Sequence, residues 1–483
     1  MTTRLTPFDF QVDAINKLSK QKSRLLGDDM GLGKTLQGIE IDLINRKESD
    51  DGQRLKTLIV TPKGVIADGA WQRAIESQVG DAPVYVLNAK RRADFEKVAS
   101  DGRKPGYFIC HWEALRLMPS LRKVDWFHII ADEVHRAKSR KAQQTQALKG
   151  LRARYKTGLS GTPADNKPDD LWSILNWLWP SYYTSYWSFV RRYCIAEKVP
   201  DPSGQTSGYM KITGLTNALP ALHNEMRPWF VRRMKEDVLK DLPDKYYRTV
   251  WVDLLPSQRR AYNQMKAELI AWIGEHEETP LVAPVVIAQL QRLQQFAIAS
   301  ADITGYVQKV FKYKDGTQET RTVPVVKMTD PSSKLDSLME LLADTDLDSE
   351  PVVVFSQFKG SIRLLEERCR KAGISIAVLT GDTKQGDRAE RIAGFQNGKY
   401  QVFAGTIAAG GVGITLTRAS TVVFLDRAWS PSMNQQAEDR LHRIGQKNAV
   451  QVIDFMARST IDLGRRQRIE QKWTWLKQLL GDK

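Results

Sequence analysis

Leu25-Leu26-Gly27-Asp28-Asp29-Met30-Gly31-Leu32-Gly33-Lys34-Thr35 is the stretch on which the reading of this chain turns. An apolar lead-in passes through a glycine-rich loop into a helix predicted to start at Lys34. Gly31 and Gly33 carry no Cβ, so the loop's N–H groups can close around phosphate oxygens. The helix start adds the positive end of its dipole at the same spot. Lys34 can then reach β- and γ-phosphates, and the Thr35 hydroxyl can ligate Mg²⁺. The usual phosphate loop has glycine where Asp28 stands, so the match is to its second half, Gly33-Lys34-Thr35. Asp29, Met30 and Leu32 complete the candidate cradle. A plain strand–turn–helix joint is the alternative at this point.

Working outward, 483 residues exceed the roughly 250–300 at which one core stops growing, so two or more domains are expected. With 42% hydrophobic and 27% charged residues the composition is that of a globular protein. No apolar run approaches the roughly 20 residues that span a bilayer, and the first residues lack the apolar core of a signal peptide. No membrane partner is expected. Cys110, Cys194 and Cys369 are far apart, and the histidines are scattered. Buried free thiols in a reducing compartment and no zinc site are therefore expected. The net charge of +16 favours a polyanionic partner, nucleic acid first; a basic surface that only keeps the chain soluble is the alternative.

Residues 5–18 place apolar side chains at helical spacing after Pro7, with Gln11 among them. Its amide could read an adenine edge as donor and acceptor together, although the stretch alone favours an exposed helix residue. Short β-type runs follow at 57–61, 107–111, 128–131 and 156–159, each flanked by helical pattern or turn residues. They predict parallel strands in an α/β layer, whose chemistry gathers at the strands' C-terminal ends. Thr61-Pro62-Lys63, His111-Trp112-Glu113, Asp132-Glu133-Val134-His135 and Ser160-Gly161-Thr162-Pro163 fall there. Two carboxylates closing the buried run Ile129-Ile130-Ala131 would be costly without a cation. With Mg²⁺ present, Asp132 can hold the metal and Glu133 can orient and deprotonate a water. An acidic pair capping the next helix is the minority alternative.

Tryptophans and tyrosines at helical spacing mark 164–250 as a hydrophobic helical insertion rather than a base-stacking platform. Pro200-Asp201-Pro202-Ser203-Gly204-Gln205-Thr206-Ser207-Gly208 reads as a surface loop. Residues 254–310 read as mostly helical and 311–325 as a charged hairpin or linker. Strand signals resume at 352–355, 376–379, 401–404, 422–425 and 450–455, a second α/β lobe without a phosphate loop of its own. Its distinctive parts are the turn Gly405-Thr406-Ile407-Ala408-Ala409-Gly410-Gly411-Val412-Gly413 and a predicted helix over 435–446. Arg440 and Arg443 would share a face of that helix and could meet a γ-phosphate. The tail 461–480 reads as a basic amphipathic helix packing back on this lobe.

The ordered motifs resemble the Snf2 family of superfamily 2 motors over nearly the whole chain. Asp28-Asp29-Met30-Gly31-Leu32-Gly33-Lys34-Thr35 is similar to its first motif, with Asp29 in place of Glu. Asp132-Glu133-Val134-His135 resembles its DEAH-type box, and Leu159-Ser160-Gly161-Thr162-Pro163 its third motif. Asp170-Leu171-Trp172-Ser173-Ile174-Leu175-Asn176 and Arg232-Arg233-Met234-Lys235-Glu236-Asp237-Val238 resemble segments largely peculiar to the family. Val354-Phe355-Ser356-Gln357-Phe358, Leu379-Thr380-Gly381-Asp382-Thr383 and Gln436-Ala437-Glu438-Asp439-Arg440-Leu441-His442-Arg443-Ile444-Gly445-Gln446 complete the set.

This resemblance implies two RecA-like lobes with helical insertions, divided as 1–163, 164–250, 251–325 and 326–483. ATP and Mg²⁺ would be bound between the lobes, with double-stranded or branched DNA across both. By position Gln11 would read adenine, and Lys34, Thr35 and Asp132 would hold phosphate and metal. Glu133 would be the base, and Arg440 and Arg443 the arginine fingers. Lys63, Trp112, Thr380, Gly381 and Thr406 would line the DNA path, while Ser160, Thr162 and Gln436 would couple the two activities. Ala164 after Gly161-Thr162-Pro163, the short Arg192-Tyr193-Cys194 region and Gln436-Ala437-Glu438-Asp439-Arg440 look most like the annealing-helicase branch. Compactness suggests a motor from a bacterium or phage, expected to be monomeric and in the cytoplasm or nucleoid. A strand-separating helicase and a non-hydrolysing DNA-binding scaffold are the competing readings. Against an RNA helicase of the DEAD type, Gln446 stands where those enzymes usually carry arginine.

Overall fold

In the computed structural model, which describes residues 4–49, 55–88, 91–164, 167–199, 209–275, 283–312, 318–410 and 414–482, the apolar runs form two parallel sheets. The chain divides into a first unit, Met1–Glu197 with Ile212–Asp241 and Lys472–Lys483, and a second, Lys198–Lys211 with Leu242–Gln471. The polar loop expected at 200–208 and Gly411-Val412-Gly413 lie outside the described residues.

The first sheet contains β1 (Ser23–Leu26), β2 (Lys56–Thr61), β3 (Val84–Val86), β4 (Gly106–His111), β5 (Asp125–Asp132) and β6 (Arg152–Leu159). After the two-stranded ribbon β7 (Cys194–Val199) and β8 (Tyr209–Leu215), β9 (Phe230–Val231) completes it. The order is β3-β4-β2-β5-β6-β1-β9, parallel throughout. Successive residues of each central strand enter different cores. Leu58, Val60, Phe108, Cys110, Ile129 and Ala131 pack on one face. Ile59, Tyr107, Ile109 and Ile130 pack on the other. Both faces are dry, so the strands read as unbroken apolar runs rather than alternating ones. Register then aligns the chemistry, because Leu159 pairs with Asp132 on one side and with Leu26 on the other. The ends of β5, β6 and β1 are thereby neighbours.

A buried polar cluster sits among the apolar side chains of this unit. The Asp42 carboxylate accepts from Thr57 Oγ1 (2.8 Å), His128 Nδ1 (2.7 Å), Arg46 Nε (2.6 Å) and Tyr107 OH (2.9 Å). An ionised carboxylate only accepts, so the His128 proton is on Nδ1. His128 Nε2 is then the acceptor for the Thr157 hydroxyl (2.7 Å), whose oxygen takes Arg24 Nε–H (2.9 Å). Burial holds His128 neutral, pushing its pKa down from 6.5 to about 4. These donors keep Asp42 well below the usual carboxylate range despite its burial.

The second unit carries β10 (Lys245–Val252), the ribbon β11 (Ser300–Lys312) and β12 (Gln318–Thr329), β13 (Val352–Ser356), β14 (Ile376–Leu379), β15 (Val402–Thr406), β16 (Thr421–Phe424) and β17 (Val450–Ala457). Its sheet has the order β10-β17-β16-β13-β15-β14, again parallel. Val352 and Val354 enter one core while Val353 and Phe355 enter another. Two RecA-like α/β lobes are thus present, as the sequence predicts.

Four local expectations change. The helical insertion expected over 164–250 also carries the strands β7, β8 and β9 and the start of β10 (Lys245–Val252). The helical reading of 254–310 stops at Ile298, because the chain becomes the antiparallel ribbon β11–β12 from Ser300. Val307, Val310 and Val325 are exposed on that ribbon, so its apolar residues carry no helical core signal. The helix expected over 435–446 is Pro431–Glu438 only. Beyond it Arg440 N–H and Leu441 N–H bond three residues back, and the Arg440 carbonyl accepts Leu416 N–H (2.8 Å), turning the chain away. Arg440 and Arg443 therefore lie in turns, not on a helix face. The tail forms the helix Ile461–Leu480, but Lys472–Lys483 belong to the first unit. Leu476, Leu479 and Leu480 are buried there with Leu222 and Met226.

Candidate active site

The phosphate loop leaves β1 at Gly27 and enters the helix Lys34–Lys47. Gly33 has φ +73°, and a Cβ there would come within 2.3 Å of Gln11 Nε2. Glycine is required both by the left-handed backbone and by the close approach. Gln11 Nε2 donates to Leu32 O (2.9 Å) and Gln11 Oε1 accepts from Phe8 N–H (2.9 Å). The amide thus braces the loop from the preceding helix.

Lys34 Nζ donates to the backbone carbonyls of Asp28 (2.7 Å) and Asp29 (3.0 Å), which curls the loop around its ammonium. Burial pushes its pKa down, while the carboxylates of Glu133, Asp28, Asp29 and Asp132 act in the opposite sense. Thr35 follows on the first helical turn. Asp29 Oδ1 accepts Met30 N–H (2.9 Å), fixing the bend that leads to Gly31.

Asp132 closes β5, held by Thr61 Oγ1 (2.7 Å) and Trp71 Nε1 (3.1 Å) on one oxygen. Desolvation and then the adjacent Glu133 carboxylate push its pKa up to about 6. Two crowded carboxylates beside a hydroxyl-bearing helix start form a hard-oxygen set, and a divalent cation there would relieve the repulsion. Oxygen donors of this kind suit a hard cation such as Mg²⁺. Glu133 adopts φ 52°, an unusual backbone for a non-glycine residue, which turns its side chain off the strand line. His135 Nδ1 lies 3.2 Å from Glu133 Oε2 and 3.1 Å from Ser160 Oγ. Ser160 Oγ also accepts Thr162 N–H (3.2 Å). The hydroxyl of Thr162 is buried with no hydrogen-bond partner among the described residues.

Of the residues expected along a DNA path, Lys63 is exposed at a helix start, Gly381 is exposed and Thr380 half-buried. Thr406 is buried at the end of β15. Trp112 is a correction: it is fully buried, and its Nε1 donates to Asp132 O (2.8 Å). It supports the carboxylate strand from inside the core and presents no surface to a ligand. In the second unit Gln436 is half-buried on the helix Pro431–Glu438. Arg440 Nη1 donates to Ile414 O (3.3 Å), and Arg443 Nη1 to Thr415 Oγ1 (2.9 Å). Both guanidiniums thus converge on one loop despite the missing helix.

A SNF2-related domain model matches residues 10–312, and a helicase conserved C-terminal domain model matches residues 333–445. The chain belongs to the SNF2-related family. It is a helicase-like ATPase core. Among curated relatives of this SNF2-family chain, the TATA-binding protein-associated factor mot1 of Schizosaccharomyces pombe is 29% identical over 91% of this chain. The SWI/SNF chromatin-remodeling complex subunit snf22 of the same organism is 28% identical over 93%. This chain covers 24% and 26% of those two proteins. A solved structure described as the Sulfolobus solfataricus SWI2/SNF2 ATPase core in complex with dsDNA is 23% identical, covered to 94% by the whole of this chain, with TM-score 0.44.

The SNF2 motifs account for the loop and the acidic pair, but not for what holds them. Asp28 is fully buried where other phosphate loops have glycine. Its carboxylate accepts from Arg233 Nε (2.9 Å), from Arg233 Nη2, and from Gln37 Nε2 (3.0 Å). Arg233 Nη2 also donates to Gln37 Oε1 (3.0 Å). In the sequence Arg232-Arg233 stands only as part of a segment resembling the family's own.

Proposed function

We propose that this chain is a DNA-dependent ATPase that moves along double-stranded DNA and remodels branched or protein-bound DNA. The observation that carries the reading is the convergence of the glycine loop, Lys34, Thr35 and the Asp132-Glu133 pair at adjoining strand ends of one unit. Lys34 binds the β- and γ-phosphates in place of the Asp28 and Asp29 carbonyls that it now contacts. Magnesium, held through Thr35 and Asp132, would neutralise charge on the transferred phosphate. Glu133 takes the proton of the attacking water, with His135 beside its carboxylate and bonded to Ser160. Arg440 and Arg443 are assigned to the developing charge on the γ-phosphate, and Gln11 to the adenine. The net charge of +16 and exposed Lys63 support a polyanionic track. The family segments closest to annealing helicases support branched DNA as the substrate.

Steady-state ATPase assays of the full chain with and without duplex DNA at low salt test the proposal. Stimulation by duplex, and more strongly by forks or four-way junctions, is the expected result. No stimulation by any DNA would overturn it, and efficient strand displacement would replace translocation by unwinding.

A further inference from the structure

The helix Ile461–Leu480 ends in a built feature. Gly481 has φ +78°, its N–H bonds Gln478 O (3.4 Å), and Asp482 N–H bonds Lys477 O (3.0 Å). This paired bonding is a Schellman cap, for which glycine is the suited residue. The helix end is fixed by buried Leu479 and Leu480 and by His223, whose Nε2 lies 3.0 Å from Leu479 O. The cap therefore delivers the Asp482 side chain to a defined place.

That place is Arg232. Its Nε and Nη2 meet the two oxygens of Asp482 at 2.6 and 2.8 Å, a two-pronged pair with both side chains buried. The remaining prong, Nη1, donates to Gly27 O (2.6 Å) and to Gly161 O (2.6 Å). Gly27 is the entry to the phosphate loop, and Gly161 lies between Ser160 and Thr162. One guanidinium thus ties together two loops that flank the nucleotide site. Its orientation is set by a carboxylate 250 residues away in sequence. Planar guanidinium geometry makes the two functions inseparable: a carboxylate gripping one edge aims the opposite nitrogen.

We propose that Arg232 is a positioning residue for nucleotide binding, and that Asp482 controls it by holding the guanidinium in register with Gly27 and Gly161. The C-terminal cap is then a strap on the phosphate loop, and any partner that draws Asp482 away loosens ATP binding. The proposal rests on the nucleotide reading of the loop.

The test is titration of the full chain with a fluorescent ATP analogue, together with ATPase kinetics, for wild type, Asp482→Asn, Arg232→Gln and the double variant. Asp482→Asn is expected to raise both the dissociation constant and KM about tenfold while kcat at saturating ATP holds within about twofold. In the Arg232→Gln background the same substitution should have no further effect, because its route is gone. Asp482→Glu keeps the charge and is expected to recover most of the affinity. Unchanged ATP affinity in Asp482→Asn, or equal losses in both backgrounds, would overturn the proposal. Should Asp482→Asn fail to fold, Arg232→Lys decides: it keeps the charge without the fork, and wild-type KM in that variant would overturn the proposal. A wild-type chain that binds no ATP would remove the nucleotide reading and the strap with it.

Discussion

Arg233→Met is the sharpest perturbation of the phosphate loop that leaves its glycines and lysine intact. Among the described residues, Arg233 supplies two of the three side-chain donors to the fully buried Asp28 carboxylate. Its guanidinium also lies 5.0 Å from the centroid of the Phe10 ring. Methionine replaces the stem and its packing but leaves Gln37 as the side-chain hydrogen-bond donor to Asp28 among the described residues. Stranding a buried charge costs about 3–5 kcal/mol, far more than the 0–1 kcal/mol or so of an exposed pair. For a unit of this size that corresponds to a melting shift of roughly 6–20 °C. The control is Asp28→Asn in the same background, which removes the stranded charge but keeps an acceptor for Gln37. Urea denaturation should show the double variant more stable than Arg233→Met, with a coupling of about 2 kcal/mol or more. Destabilisation by Arg233→Met below about 1 kcal/mol, or no recovery on adding Asp28→Asn, would refute the reasoning.

Glu133→Gln should retain nucleotide and duplex binding yet lose turnover by about two orders of magnitude or more in an ATPase assay, because the amide cannot accept the water proton. Gly33→Ala should weaken ATP binding and stability together by about 1–2 kcal/mol or more for the φ of +73°; adding Gln11→Ala relieves the 2.3 Å approach but not the backbone cost, so recovery in thermal melts should be partial. His128 titrates at about 4 when folded against 6.5 when free, so the unfolded chain binds the extra proton first as pH falls. Stability should therefore rise with pH between about 4 and 6.5, by roughly 3 kcal/mol in all. Denaturant midpoints of wild type and His128→Asn should differ in slope over that window, and equal slopes would count against it. Trp112→Phe removes the bond to Asp132 O and leaves part of the fully buried indole's volume empty, so it should cost about 2–4 kcal/mol in urea melts and leave duplex affinity unchanged.

The amino-acid order alone determined the two α/β lobes, because strands buried on both faces must be apolar throughout. Ile129-Ile130-Ala131 and Val352-Val353-Val354-Phe355 serve cores on two sides at once. It likewise determined the phosphate loop, since Gly31, Gly33, Lys34 and Thr35 act within one turn of backbone. Their neighbourhood to Asp132 followed only from the parallel register through Leu159. What tertiary structure decided was every pairing made across long separations. Asp28 found Arg233, Asp482 found Arg232, and Trp112 turned inward to Asp132. The short helix before Arg440 ended for the same kind of reason, a bond to Leu416 rather than a local stop signal. Local periodicity reports which face of an element is dry. It holds no record of which distant charge will meet a buried one, because that depends on how the elements pack.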